Sequence, residues 1–215
     1  MARPPYNPLD KLNLGKSVAE ALLDQDAHPL GALPHFQGAG IYVIYYSGDH
    51  PAYRRLTTAN ADGPNVPIYV GKAVPSGGRK GALAPAETKG VFLLKRLQEH
   101  AESIGQADNL DIADFQARWL VVDDIWIPLG ETLIITKFRP VWNLALDGFG
   151  NHDPGAGRYN GLRPMWDVLH PGRKWAERCK ARPESASDLK AKVRAFLKAA
   201  DPSPDGGIDF DPSSL

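Results

Sequence analysis

Cysteine is almost missing from this chain, where Cys179 is the single example among 215 residues. One thiol supports neither a disulfide framework nor a cysteine-rich zinc site. Long apolar runs are missing as well, and no stretch approaches the roughly 20 residues that a membrane-spanning helix needs. The opening residues, Met1-Ala2-Arg3-Pro4-Pro5, lack the apolar core of a secretory signal. A soluble, cytoplasmic protein is the resulting expectation. Net charge is also missing: 25 basic and 25 acidic residues cancel. What remains is an ordinary globular mixture, 43% hydrophobic and 23% charged. Its length suits one compact domain with additions, or two small ones.

The charge is segregated along the chain. Residues 51–100 hold eight Lys or Arg against three acids, and residues 151–182 hold seven against three. Residues 101–130 reverse the sign, with six acids and only Arg118. A neutral total argues against a strongly basic polyanion binder, yet this distribution permits one basic face.

Residues 1–35 form a proline-rich N-terminal extension with one brief amphipathic helix over 16–23. Gly40-Ile41-Tyr42-Val43-Ile44-Tyr45-Tyr46 is a β-branched and aromatic run closed by Ser47-Gly48-Asp49, which predicts a strand and a turn. A polar excursion over 50–66 precedes a second short strand, Pro67 to Gly71. A Gly/Pro/Ala-rich loop over 73–90 follows, with Arg79 and Lys80 near its tip. Val91 to Ile104 has helical spacing, with Val91, Leu94, Leu97, Ala101 and Ile104 as its buried stripe. Arg96 and His100 lie side by side on a different face of it. A third strand is expected over 114–122, and a second core helix from Pro128 to Phe138 has Glu131 in its first turn. Residues 147–173 read as loop. Ser185 to Asp188 has capping-box spacing for a helix to about Ala200. The tail, 201–215, is acidic and rich in Pro, Ser and Gly, the composition of a disordered segment. The sum is a small mixed α/β core with terminal additions.

Singly, the polar residues of this core have ordinary explanations. A strand tyrosine is usually packed, an Arg and a His one helical turn apart usually share a solvated face, and an early helical Glu usually complements the dipole. Their order is more informative. Gly40-Ile41-Tyr42 and Tyr69-Val70-Gly71, then Arg96 with His100, then Glu131 and Asn143, resemble the ordered landmarks of the GIY-YIG nuclease superfamily, with Val for Ile in the second tripeptide. Pro67 to Pro75, Asp147 to Arg158 and Trp166 to Arg173 further resemble the small type II restriction endonucleases of that superfamily that recognise CCGCGG. The likeness runs from about residue 36 to about residue 182. It divides the chain into an extension (1–35), a GIY-YIG nuclease domain (36–182) with an insert at 47–66, a C-terminal helix (183–200) and the acidic tail (201–215).

The resemblance implies a mixed α+β fold: a GIY-YIG core with a small central antiparallel or mixed sheet flanked by helices. It also implies a Mg²⁺-dependent (or Mn²⁺-dependent) homodimer that cuts double-stranded DNA, working beside a cognate DNA methyltransferase in a restriction-modification system. Tyr42, Tyr69, Lys72, Arg96, His100, Glu131 and Asn143 become the candidate catalytic residues, with Glu131 as the metal ligand. Chemically, a single carboxylate suits a hydrated divalent ion, and an arginine offers a planar fork to a phosphate oxygen. Tyr42 is a poor base at its ordinary pKa near 10, so a neighbouring cation is needed, for which Lys72 is the nominee. Tyr69 would orient water or phosphate, and His100 would position Tyr42 or relay its proton. Asn143 would brace the site or a metal-bound water. A metal-bound hydroxide stays open as the base. Arg and Asn in the 50–90 and 147–163 regions are the expected readers of bases. Two further readings are a homing or repair endonuclease of the same superfamily, which the lack of cysteine opposes, and a non-catalytic DNA-binding module, which the intact set of polar residues opposes.

Overall fold

The computed structural model describes residues 7, 9–75, 90–155 and 159–200. Arg79 and Lys80 of the basic loop, Arg158 and the acidic tail 201–215 lie outside the described residues. In chain order the elements are α1 (Lys11–Leu23), β1 (His28–Pro29), β2 (Gly40–Tyr46), α2 (Arg54–Ala59), β3 (Pro67–Ala73), α3 (Phe92–Gly105), β4 (Phe115–Val121), α4 (Ile127–Phe138), α5 (Val141–Leu144), α6 (Met165–Leu169), α7 (Lys174–Glu177) and α8 (Ala186–Ala200). A single 3₁₀ turn, Ile112–Asp114, leads into β4.

The four strands make one sheet in the order β1-β4-β2-β3, and every pairing is antiparallel. Central β2 is buried along its whole length, which is why it reads as a continuous apolar run instead of an alternating one. Tyr42, Ile44 and Tyr46 face a core built with Leu93 and Leu97 of α3, Trp142 of α5, Trp166 of α6 and Leu189, Val193 and Leu197 of α8. Ile41, Val43 and Tyr45 face the other way, onto Ala19 and Leu22 of α1 and Ile127 and Ile134 of α4. Helices therefore cover both faces, and β3 is left as an edge.

Two glycines make the central pairings possible. A Cβ on Gly40 would stand 2.0 Å from the Leu120 carbonyl oxygen on β4, and one on Gly71 would stand 2.3 Å from the Tyr42 hydroxyl. A side chain at either place would push a neighbouring strand or the Tyr42 ring aside.

Several elements differ from the sequence reading, each for a local reason. Helix α1 starts at Lys11, capped by the Asp10 carboxylate on the Leu12 amide at 2.9 Å. Gly15 interrupts the apolar pattern there because α1 crosses α4 closely: an added Cβ would lie 1.5 Å from Leu133. The polar excursion contains α2, too short for periodicity to show, anchored by buried Leu56. On α3, Val91 is the exposed N-cap residue and Leu93 takes the inward place. His100 lies on the buried face with Leu93 and Leu97. Helix α4 begins at Ile127, so Glu131 is its fifth residue and not in the first turn. Residues 147–173 include the short helix α6. The capping box of α8 is present: the Ser185 amide donates to Asp188 at 2.9 Å, and the Asp188 amide donates back to the Ser185 hydroxyl at 3.2 Å.

Candidate active site

Register decides which strand residues meet. Tyr42 pairs with Gly71, and Ile44 pairs with Tyr69, so Tyr42 and Tyr69 project from the same face near the β3 edge. Helix α3 lies over that face. The Tyr42 hydroxyl is 2.6 Å from Nε2 of His100. The His100 ring meets Tyr69 edge-on at 5.2 Å and stacks on Phe149 at 4.5 Å between centroids. One turn earlier on α3, Arg96 donates from Nη2 to the Gly150 carbonyl at 2.9 Å and from Nη1 to Glu99 at 3.1 Å. Its Nη1 also reaches Nε2 of His152.

Lys72 takes another direction. It pairs with Ile41 in the register and so emerges on the α4 side of the sheet, where its ammonium lies 2.6 Å from Glu131 Oε2. The cation beside Tyr42 and Tyr69 is Arg96, which works to lower both of their pKa values. The nomination of Lys72 for that task is thus corrected by its place in the register. Glu131 is near enough to oppose ionisation of both tyrosines.

Burial dominates the electrostatics here. Removal from water raises the Tyr42 phenol well above its ordinary value, Tyr69 adds to the rise, and Arg96 offsets part of it. The same desolvation drives His100, 1% exposed, well below its ordinary value, with Arg96 reinforcing the shift. At neutral pH the pair is therefore a neutral phenol against a neutral imidazole.

Across the chain as a whole, the family model described as the Eco29kI GIY-YIG domain matches residues 34–197. This chain belongs to that family. The match covers most of the sequence and includes every residue of the site just described. No curated protein matches the chain. The chain is thus a restriction-type GIY-YIG nuclease, with the DNA-binding function such a domain entails. Among the described residues no helix is long and apolar enough to cross a membrane.

Within this GIY-YIG core, Asn143 is not aimed at the reacting groups. Its Oδ1 accepts the Val70 amide at 2.8 Å, and its Nδ2 donates to the Val70 carbonyl at 2.8 Å. Val70 is opposite Val43 on the edge strand, so the Asn143 amide takes the place of a further strand and satisfies both outward groups of β3. That fixes the backbone between Tyr69 and Lys72.

The nuclease site also uses residues that the sequence reading left without a role. Phe149, Gly150 and His152 come from the 147–155 segment and touch His100 and Arg96. The only available signal was the likeness of that segment to restriction endonucleases, since no spacing rule links it to α3.

Glu131 suits a divalent ion by its chemistry. Among the described residues no group of three or more His, Cys, Asp or Glu converges as a protein-made cage. One carboxylate with its remaining positions open to water and phosphate is the donor set Mg²⁺ accepts, and Lys72 already holds positive charge against Glu131.

Proposed function

We propose that this GIY-YIG nuclease is a sequence-specific type II restriction endonuclease. It would hydrolyse phosphodiester bonds in both strands of DNA at a GC-rich palindrome, with CCGCGG as the specific expectation. It would act as a homodimer with Mg²⁺ (or Mn²⁺), in a restriction-modification system with a cognate methyltransferase. The supporting observation is convergence: Tyr42, Tyr69, Arg96 and His100 meet at the β3 edge, with Glu131 near both tyrosines.

Hydrolysis needs an activated water and neutralisation of charge on the phosphate. Bound at Glu131, Mg²⁺ supplies Lewis-acid stabilisation of the phosphate and leaving oxygen. Arg96 offers its guanidinium fork to a non-bridging oxygen. Tyr42 accepts a proton from the attacking water as its own hydroxyl proton passes to His100 Nε2 along the 2.6 Å contact. This relay avoids a free tyrosinate, which burial disfavours, and holds the proton on His100 only transiently, since burial and Arg96 disfavour the imidazolium too. Tyr69 flanks the same ring and orients the water or phosphate. One core carries one such site, and a palindrome has two scissile bonds, so a two-fold dimer on two-fold DNA follows.

The deciding experiment is incubation with plasmid DNA, with and without Mg²⁺. Discrete fragments that require the ion support the reading. A smear points to a non-specific or structure-specific nuclease. Intact plasmid under both conditions overturns the catalytic reading in favour of a binding module.

A further inference from the structure

Arg173 is a charged residue in the interior, only 2% exposed, in the turn between α6 and α7. Its guanidinium has five N–H groups, and each has a partner. Nε and Nη2 grip the two oxygens of Asp167 at 2.6 Å each. Nη2 also donates to the Gly148 carbonyl at 2.9 Å, and Nη1 donates to the carbonyls of Phe149 and Asn151, both at 3.0 Å. The cation is sandwiched near the Trp166 and Trp175 rings, at 4.5 and 4.9 Å. One guanidinium thus holds three carbonyls of a single tight loop.

The fourth carbonyl of that loop, Gly150, points the other way and accepts from Arg96 Nη2 at 2.9 Å. Phe149, whose carbonyl Arg173 grips, places its ring flat against His100. Space at this point is small, since a Cβ on Gly150 would stand 2.9 Å from the Tyr69 hydroxyl and 3.2 Å from Arg96 Nη2. Loop orientation and the aim of Arg96 are therefore coupled. If the three gripped carbonyls turn, the Gly150 carbonyl turns with them.

We propose that Arg173, anchored by Asp167, is a positioning residue for phosphodiester hydrolysis: it fixes loop 148–151 so that the Gly150 carbonyl aims Arg96 and the Phe149 ring seats His100. This rests on the nuclease reading above. A buried ion pair broken on one side would destabilise the whole fold, so alanine at 173 is uninformative. Lysine keeps the charge opposite Asp167 but has three donors from one point and cannot reach three separate carbonyls.

The test is Arg173→Lys in the full chain, with folding checked by thermal denaturation, on cognate duplex under single turnover. The expected result is a cleavage rate lower by about ten- to hundred-fold, the effect of a misplaced group, with metal-free DNA binding within two-fold of wild type. The loss should shrink in an Arg96→Ala background, because only the contact of Phe149 with His100 is then left for Arg173 to position. A folded Arg173→Lys protein that cuts at the wild-type rate overturns the proposal, and so does an equal loss with and without Arg96. Should Arg173→Lys fail to fold, Gly150→Ala tests the other end of the chain of contacts, and an undiminished rate there overturns it. If wild type itself cuts nothing, the nuclease reading fails. The positioning claim is then read from the Arg96 side-chain N–H resonance, which must shift in Arg173→Lys for the claim to stand.

Discussion

The Tyr42 hydroxyl stands 2.6 Å from Nε2 of His100, and burial drives both groups toward their neutral forms. A tyrosinate base with a raised pKa would make the cleavage rate climb about ten-fold per pH unit through neutrality. A relay from water through Tyr42 to His100 needs only neutral His100, whose pKa lies well below its usual value. The expected single-turnover profile is therefore flat from pH 6.5 to about 8.5, with no inflection near the ordinary histidine value of about 6.5. A slope of one across that range would show the tyrosinate instead. Tyr42→Phe should abolish cleavage while DNA binding persists.

Arg96 should act on the transition state more than on binding. Its Nη2 is already engaged by Gly150, which orients the fork instead of leaving a mobile phosphate anchor. Arg96→Ala is expected to slow single-turnover cleavage by about 10²–10³-fold, the usual worth of an aimed donor, with a much smaller change in DNA dissociation constant. Arg96→Lys should not restore the rate, because lysine lacks the fork. Equal losses in rate and binding would reduce Arg96 to an anchor.

Glu131 and Lys72 make a further pair with separable effects. Removing the carboxylate with Glu131→Ala should abolish cleavage and leave DNA binding intact or tighter, since an unneutralised carboxylate repels phosphate. The Lys72 ammonium competes with a metal ion for Oε2 at 2.6 Å. Lys72→Met should therefore lower the half-saturating Mg²⁺ concentration by up to about five-fold, the limit set by a partly exposed pair worth at most ~1 kcal/mol. A midpoint that rises instead would assign Lys72 to holding the metal-bound state.

Local signals carried the parts of this fold that local physics determines. Strand β2 was legible because six β-branched and aromatic residues end at Ser47-Gly48, and α8 because Ser185 and Asp188 cap each other. The inward face of α3 was legible in Leu94, Leu97 and Ile104, but not in Leu93 or His100. Helical periodicity assigns a histidine outward, whereas His100 is tolerated inside because Tyr42 satisfies its Nε2. The partner of Lys72 was hidden for another reason: it follows from the register of β3 on β2 and the crossing of α4, which no spacing encodes. Arg173 stood in the sequence only as one basic residue of 151–182 and the end of the Trp166–Arg173 likeness, and the enclosing carbonyls reveal it as interior.

A second Tyr–His pair, Tyr53 with His170, predicts how stability depends on pH. The Trp142 indole can only donate, and it donates to the Tyr53 hydroxyl oxygen at 2.8 Å. Tyr53 then donates to His170 Nε2 at 2.5 Å. On the far side of the ring, Nδ1 donates to Asn109 Oδ1 at 2.8 Å, because the Asn109 amide already donates to the Leu169 carbonyl. The chain runs in one direction only if His170 is neutral. Burial holds its pKa well below the ordinary value, and the nearby His50 adds to the shift. The unfolded chain, with histidine near 6.5, then binds more protons than the fold between the two pKa values. Stability is complete above about pH 6.5 and declines as pH falls below it. His100 acts with the same sign. Both histidines should therefore lower the unfolding free energy as the pH falls from 7.5 to 5.5. Urea unfolding at the two pH values measures the drop. His170→Gln should start less stable at pH 7.5 and lose less on acidification, and a drop as large as that of wild type would show that His170 does not set the acid limit.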